Sequence, residues 1–396
     1  MTTNARRLGD VCDINPRLPR DHYLNSDSEV SFVPMAAVSE LSGAIESAAI
    51  RRYAEVKKGY TPFSDGDVLF AKITPCMENG KAALARGLAG GRGFGSTEFH
   101  VIRARESVLP EWIYYFVRRE PFRHEAKRNF TGTAGQQRVP ASFLHDSLVP
   151  VPPLEEQRRV VDLLARAEGI VRLRREAQQK AAELIPAIFV DMFGDPATNP
   201  ESWPRQPLSA VAEVISGVAK GRKLDPGEAV ELPYMRVANV KDGYLDLAEV
   251  KTIEIKRSEV EKLLIRPGDL LMTEGGDPDK LGRAALWAGE IDACVHQNHV
   301  FKVRSDQARL SPAYLRALAG SAFGKAYFLS VAKKTTGIAS INKTQLSAFP
   351  VPLPPPPLQR EFEHRVESVE SILNQQAEAS SKTKAAFDAI LSRAFH

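Results

Sequence analysis

Three side chains with metal-ligand chemistry, Cys294, His296 and His299, fall within six positions of one another. Thiolate and imidazole bind zinc, but a structural zinc takes four ligands, usually from two clusters. The chain has no second cluster and no Cys-x-x-Cys, so packing and a solvated loop remain the plainer reading of the trio. Asn199-Pro200-Glu201 falls short of the Asn-Pro-Pro-aromatic motif of amino-methyltransferases. Gly90-Gly91-Arg92-Gly93-Phe94-Gly95 does not meet the G-x-G-x-x-G pattern and reads as a flexible loop. No G-x-x-x-x-G-K-[ST] is present, and no nucleophile has a plausible base beside it. The chain therefore reads as a binder with no catalytic residues, not an enzyme.

The side chains that remain suit base edges. Arg and Lys pair with guanine, and Asn and Gln with adenine, through two-point hydrogen bonds. In the first half the candidates are Lys72, Asn79, Lys81, Gln136, Gln137 and Arg138; in the second, Lys280, Arg283, Gln297, Asn298, Asn342 and Lys343. Each is equally readable as a solvated loop residue. Net charge is only +4, but its distribution is uneven. From Gln307 to Arg360 there is no Asp or Glu, while Arg309, Arg316, Lys325, Lys333, Lys334, Lys343 and Arg360 lie there. The corresponding part of the first half carries Arg118, Arg119, Arg123, Lys127, Arg128 and Arg138 against Glu120 and Glu125. One such window is ordinarily a solvated basic face. Its recurrence points to a polyanion such as DNA.

The recurrence is general. Gln157-Arg158 precedes Gln359-Arg360 by 202 positions, and Phe193 precedes Phe395 by the same distance. Val33 to Val38 matches Met235 to Val240, Gly66-Asp67-Val68-Leu69 matches Gly268-Asp269-Leu270-Leu271, and Pro150-Val151-Pro152 matches Pro350-Val351-Pro352. Solenoid repeats run to ~20–50 residues, so this is a duplication of domain-sized units, each on the order of 150 residues plus a helix.

The helices must position whatever the units bind. After Pro152-Pro153, apolar residues recur in steps of four and three: Val160, Leu164, Ala167, Val171, then Ala181, Ile185, Ile188 and Met192. The second copy repeats the seam with Phe362, Val366, Val369, Leu373, then Phe387, Ile390 and Ala394. Both seams are polar at the centre, which suits parallel and antiparallel pairing alike. A pseudo-two-fold axis relating the copies selects the antiparallel one. Pro186 should kink or end the first helix near Ile185. At ~1.5 Å per residue such a helix spans about 58 Å, against about 34 Å for one DNA turn, so the pair would act as a ruler. A dimerisation or scaffolding coiled coil is the alternative use of the same seams.

The fold class expected is α+β: two mixed α/β domains separated by two long helices pairing as an antiparallel coiled coil. Strand-like segments lie at 30–38, 67–73, 98–104, 233–240, 269–273 and 299–304, with helices at 110–128 and 312–331. Asp242-Gly243 signals a hairpin turn, and Asp195-Pro196 with Asn199-Pro200 a hinge. Hydrophobic content of 43% with 26% charge is that of a soluble globular protein. No run is apolar enough to cross a bilayer, and MTTNARRLGD has no signal core. Three scattered cysteines, Cys12, Cys76 and Cys294, fit a reducing cytoplasm.

These features together resemble the specificity subunit (HsdS) of type I restriction-modification systems, over essentially the whole chain. The resemblance rests most on Leu148-Val149-Pro150-Val151-Pro152-Pro153-Leu154-Glu155-Glu156-Gln157-Arg158 and on Phe349-Pro350-Val351-Pro352-Leu353-Pro354 leading to Leu358-Gln359-Arg360. Tyr234 to Val240, Ser96 to Phe99, His296 to Phe301, Gly337-Ile338 with Ile341-Asn342-Lys343, and Asp191 to Asp195 are also similar to that family. The four prolines Pro354 to Pro357 depart from it. The resemblance implies target-recognition domains over 1–150 and 197–348, a central spacer helix over 151–196 and a C-terminal one over 349–396. It implies that each domain reads one half of an asymmetric split DNA site. It also implies two methyltransferase (HsdM) subunits that use S-adenosylmethionine to make N6-methyladenine, and a restriction (HsdR) subunit that uses ATP and Mg in defence against phage. This chain itself would bind no cofactor.

Overall fold

The computed structural model describes residues 5–17, 24–133, 136–221, 224–225, 227–277, 281–335 and 337–395. The chain divides into two compact units, one made of Met1–Glu176 with Glu378–His396, the other of Ala177–Ala377. Each is mixed α and β.

The first unit is built on a four-stranded antiparallel sheet ordered Cys12–Ile14, Phe99–Ala104, Val68–Ala71, Ala82–Leu84. The second has Ala212–Ser216, Val300–Ser305, Leu270–Thr273 and Ala284–Leu286 in the same order. Val68 to Ala71 and Leu270 to Thr273 are fully buried, as unbroken apolar runs must be in a sheet covered on both faces. A second sheet in each unit contains one parallel pairing, Glu29–Val33 with Arg92–Gly95 and Ala229–Met235 with Val295–His296. The glycine run expected as a flexible loop is therefore partly a strand. Cβ atoms at Gly93 and Gly95 would lie 2.1 Å from Phe63 and 2.5 Å from the Val33 carbonyl, so those glycines serve close packing.

The regions 110–128 and 312–331 are each two helices, Pro110–Arg118 with Glu120–Arg128 and Pro312–Gly320 with Ala322–Val331. A single extended residue, Arg119 or Ser321, breaks each pair. The segment 30–38 is strand only to Val33 and then a 3₁₀ turn at Met35–Ala37. Gly243, at φ 86°, turns a hairpin that brings the Lys241 N–H to the Tyr244 carbonyl. The Asp195–Pro200 segment, expected as a hinge, is a turn inside the second unit. There the Asn199 side chain bonds both the Trp203 N–H and its carbonyl.

The central helix runs Leu154–Ala182, with Glu155 and Glu156 placed favourably in its first turn. It breaks at Glu183 and resumes as Leu184–Phe193. Pro186 has no N–H for the Ala182 carbonyl, which places the break three residues before the proline. The distal helix runs unbroken for 39 residues, Pro356–Ala394. Pro356 and Pro357 sit in its first turn, where a missing N–H costs nothing.

The helices are built into the cores. In the first unit Val160 and Leu164 share a cluster with Phe387, Ile390 and Phe395. In the second, Ile185, Ile188, Phe189 and Phe193 share one with Phe362 and Val366. Val369 is buried, whereas Val171 and Leu373 are half-buried and belong to neither cluster.

Candidate nucleic-acid interface

In the first unit Arg138 pairs with both Ile73 and Thr131, so Thr131–Thr133 and Gln136–Arg138 form a ribbon laid against Ile73. The second unit has the same element at the same spacing, with Ser340 paired to Gly275 and to Lys333. Each ribbon is rooted by the next residue. The Val139 N–H donates to the Lys72 carbonyl at 2.9 Å, and the Ile341 N–H to the Glu274 carbonyl at 2.8 Å. Val139 and Ile341 are both buried.

On these ribbons Gln136, Lys333 and Lys334 are exposed, and Gln137 is half-buried. Arg138 grips Glu98 with two bonds of 2.9 and 2.8 Å, and this holds that carboxyl below the usual carboxylate range. Lys72 is half-buried beside the same ribbon.

Other sequence candidates lie elsewhere. Lys81 donates to the Met35 carbonyl, Asn79 is exposed, and Arg283, Gln297 and Asn298 are half-buried. Asn342 is the N-cap of Lys343–Ser347, bonded reciprocally with Gln345. Lys343 is exposed in that first turn. Lys280 lies outside the described residues.

The basic run 118–128, expected to face a polyanion, is largely turned inward. Arg118 ion-pairs with Glu168 at 2.7 Å. Arg119 lies over the rings of Phe116 and Phe395, where burial pulls its guanidinium down to about 10. Arg123 donates to the Glu78 carbonyl, and Lys127 pairs with the Glu78 carboxylate. Arg128 is exposed. Lys325 pairs with Asp242 at 3.0 Å. A charge window in the sequence does not reveal which cations already have carboxylate partners.

The metal-ligand trio does not converge. Cys294 is buried, with its thiol pushed up to about 12 by burial. The buried His296 ring donates through Nδ1 to the Val300 carbonyl at 2.7 Å, and burial holds it neutral, down to about 4. His299 instead pairs with Glu274 at 2.5 Å. Among the described residues no group of three His, Cys, Asp or Glu side chains is placed to hold a metal. No helix among them is long and apolar enough to cross a membrane.

Sequence reading missed the groups that hold the units rigid. Asp67 receives two bonds from Arg103 at 2.7 Å each, and Asp269 two from Arg304 at 2.7 and 2.6 Å. The buried Gln157 side chain accepts from the Leu109 N–H and donates to the Ser107 and Pro152 carbonyls. Gln359 repeats this with the Ser311 N–H and the Arg309 and Pro354 carbonyls. Recurrence of Asp and Gln at the 202 offset was the signal available for both.

Comparison with known proteins gives concordant matches. Residues 2–183 match the model of a family described as the type I restriction modification DNA specificity domain. The chain is similar to the EcoEI specificity subunit of a type I restriction enzyme from Escherichia coli, at 40% identity over 160 residues, which is 40% of this chain and 26% of that protein. It thus spans about a quarter of that relative's length. Similarity to the EcoKI specificity subunit of Escherichia coli strain K12 is lower, 24%, but covers 74% of this chain and 67% of that one. Among solved structures, a chain from a study of type I R-M complex assembly and conformational transition is similar with a TM-score of 0.58 at 24% identity, covering 99% and 97% of the two chains. The S subunit from M. genitalium gives 0.55 at 12% identity, covering 99% and 96%. These two show that the fold is shared.

Proposed function

From a chain whose residues 2–183 carry a type I restriction modification DNA specificity domain, and which is a relative of specificity subunits, we propose a non-catalytic reader of split DNA sites. The target-recognition domains are residues 1–150 and 197–348, each reading one half of an asymmetric site. The observation that carries this reading is the repeated ribbon, which presents different side chains on matched backbone in the two units.

The helices of 151–196 and 349–396 pair antiparallel and set the spacer. The core clusters support this direction, because each mixes the beginning of one helix with the end of the other. Exposed Leu163, Ile170, Leu173 and Ile372 on these helices suit docking of two methyltransferase subunits. Those partners, with a restriction subunit, supply the chemistry in the cytoplasm. S-adenosylmethionine, ATP and Mg belong to them, and this chain binds no cofactor.

A single-molecule methylome of the host with and without the gene tests the reading. Loss of N6-methyladenine from one split motif on deletion is the expected result. If deletion leaves every methylated motif in place and the purified chain binds DNA without sequence preference, the scaffold reading replaces this one.

A further inference from the structure

We infer that the two ribbons are the base-reading elements, one per half-site, and that their exposed side chains set which bases are read; this rests on the DNA-reading function proposed above. The chain supplies its own internal comparison. The ribbon roots bond the same backbone positions, and elsewhere in each unit the groups that brace the fold recur: Asp67 and Asp269 each grip an arginine, and Gln157 and Gln359 make the same three bonds. On the ribbons Thr133 and Thr335 are the same, but the side chains differ at the other matched positions described. Thr131 stands against Lys333, Gln136 against Ile338, Gln137 against Ala339, and Arg138 against Ser340. A segment that only stabilised the fold can change its side chains while keeping the bond they make, as Trp112 and Tyr314 do. One that reads different sequences in the two copies must change its donors and acceptors while keeping its backbone.

The shape and chemistry agree. A two-stranded ribbon fits the DNA major groove, where each base pair displays a distinct pattern of donors, acceptors and methyl groups. Gln136 presents an amide suited to adenine, Lys333 and Lys334 present ammonium donors suited to guanine, and Ile338, 56% exposed, presents an apolar surface suited to the thymine methyl. Arg138, held by Glu98, acts as a positioning residue that fixes the ribbon's direction. The two halves should therefore read by unlike chemistry, amide-led in the first unit and ammonium-led in the second.

The test uses the full chain assembled with its own methyltransferase subunits, and a library of duplexes randomised in both half-sites. Gln136→Ala should relax one or two base pairs of one half-site by about tenfold. Lys333→Ala with Lys334→Ala should relax the other half-site by a similar factor. The untouched half-site and the spacer should not change in either case. A uniform loss of affinity across all sequences would reassign these side chains to phosphate contacts and overturn the inference. Unchanged preference in a variant that melts like the wild type would overturn it too. If the double variant does not fold, Lys334→Ala alone, one exposed side chain, gives the same readout. A wild-type complex that selects no split motif would sink the DNA-reading function itself, whereas a wild-type motif insensitive to every ribbon variant sinks only the ribbon assignment.

Discussion

The first and second units solve the same packing problem with different side chains wherever chemistry allows and with identical ones where it does not. Trp112 in one and Tyr314 in the other sit 202 positions apart, and both donate to a proline carbonyl, Pro150 at 2.8 Å and Pro352 at 3.0 Å. An indole N–H and a phenol O–H are interchangeable there because one donor on a large ring is all the site needs. Tyr114 and Arg316, again matched, both reach a helix glutamate, Glu168 and Glu370. At two multiply bonded positions the copies agree: the Asp67–Arg103 pair and the Gln157 latch recur as Asp269–Arg304 and Gln359.

That comparison can be broken most sharply at the carboxylates. Asp67→Ala and Asp269→Ala each leave a partly buried guanidinium without its acceptor and should cost about 2–4 kcal/mol, below the range for a fully buried pair because both arginines keep some solvent. Hydrogen exchange read peptide by peptide should localise each loss to its own unit; loss spread evenly over both would refute their independence. Gln157→Ala and Gln359→Ala should follow at about 1–3 kcal/mol and match each other, since three backbone groups, some of them still reached by solvent, lose their partner in each. Tyr314→Phe removes one hydrogen bond and should cost about 1 kcal/mol, while Tyr314→Trp should keep the bond if the site is as permissive as Trp112 suggests.

The smallest differences concern pH. His100 and Lys302 are buried polar residues on corresponding strands of the two units, at unmatched positions: His100 lies opposite Phe70, Lys302 opposite Leu271. Burial lowers the His100 pKa, so its unfolded form takes a proton more readily, and the first unit should lose stability as pH falls below about 6.5. Burial likewise pulls the Lys302 ammonium down to about 8. Between about 8 and the ordinary lysine value near 10.5 the unfolded form binds the extra proton, so stability of the second unit should rise with pH across that window. Lys302→Met should flatten that rise, and thermal melting between pH 7.5 and 10.5 checks it.

Sequence periodicity made the architecture legible because a duplication writes each pattern twice. The seam residues Val160, Leu164, Phe362 and Val366 could be read from spacing, and all four now lie in cores. The ribbon was only half legible. Gln136 and Lys333 drew notice as residue types, but their common element depends on pairings to Ile73 and Gly275, some 60 positions away, which no local pattern encodes. The basic run at 118–128 misled for a related reason. Its partners Glu78 and Glu168 are distant in sequence, and only folding brings them close enough to neutralise it.

Just past the end of the distal helix stands Phe395, whose ring lies 4.4 Å from Trp112 and 5.7 Å from Phe116. On the ribosome this reverses the usual order of assembly. Residues 177–377 form one continuous stretch and can fold as soon as they emerge, whereas the first unit waits with an open aromatic slot until synthesis has passed residue 395. A change at Phe395 would therefore damage a core whose aromatic partners, Trp112 and Phe116, lie far earlier in the chain.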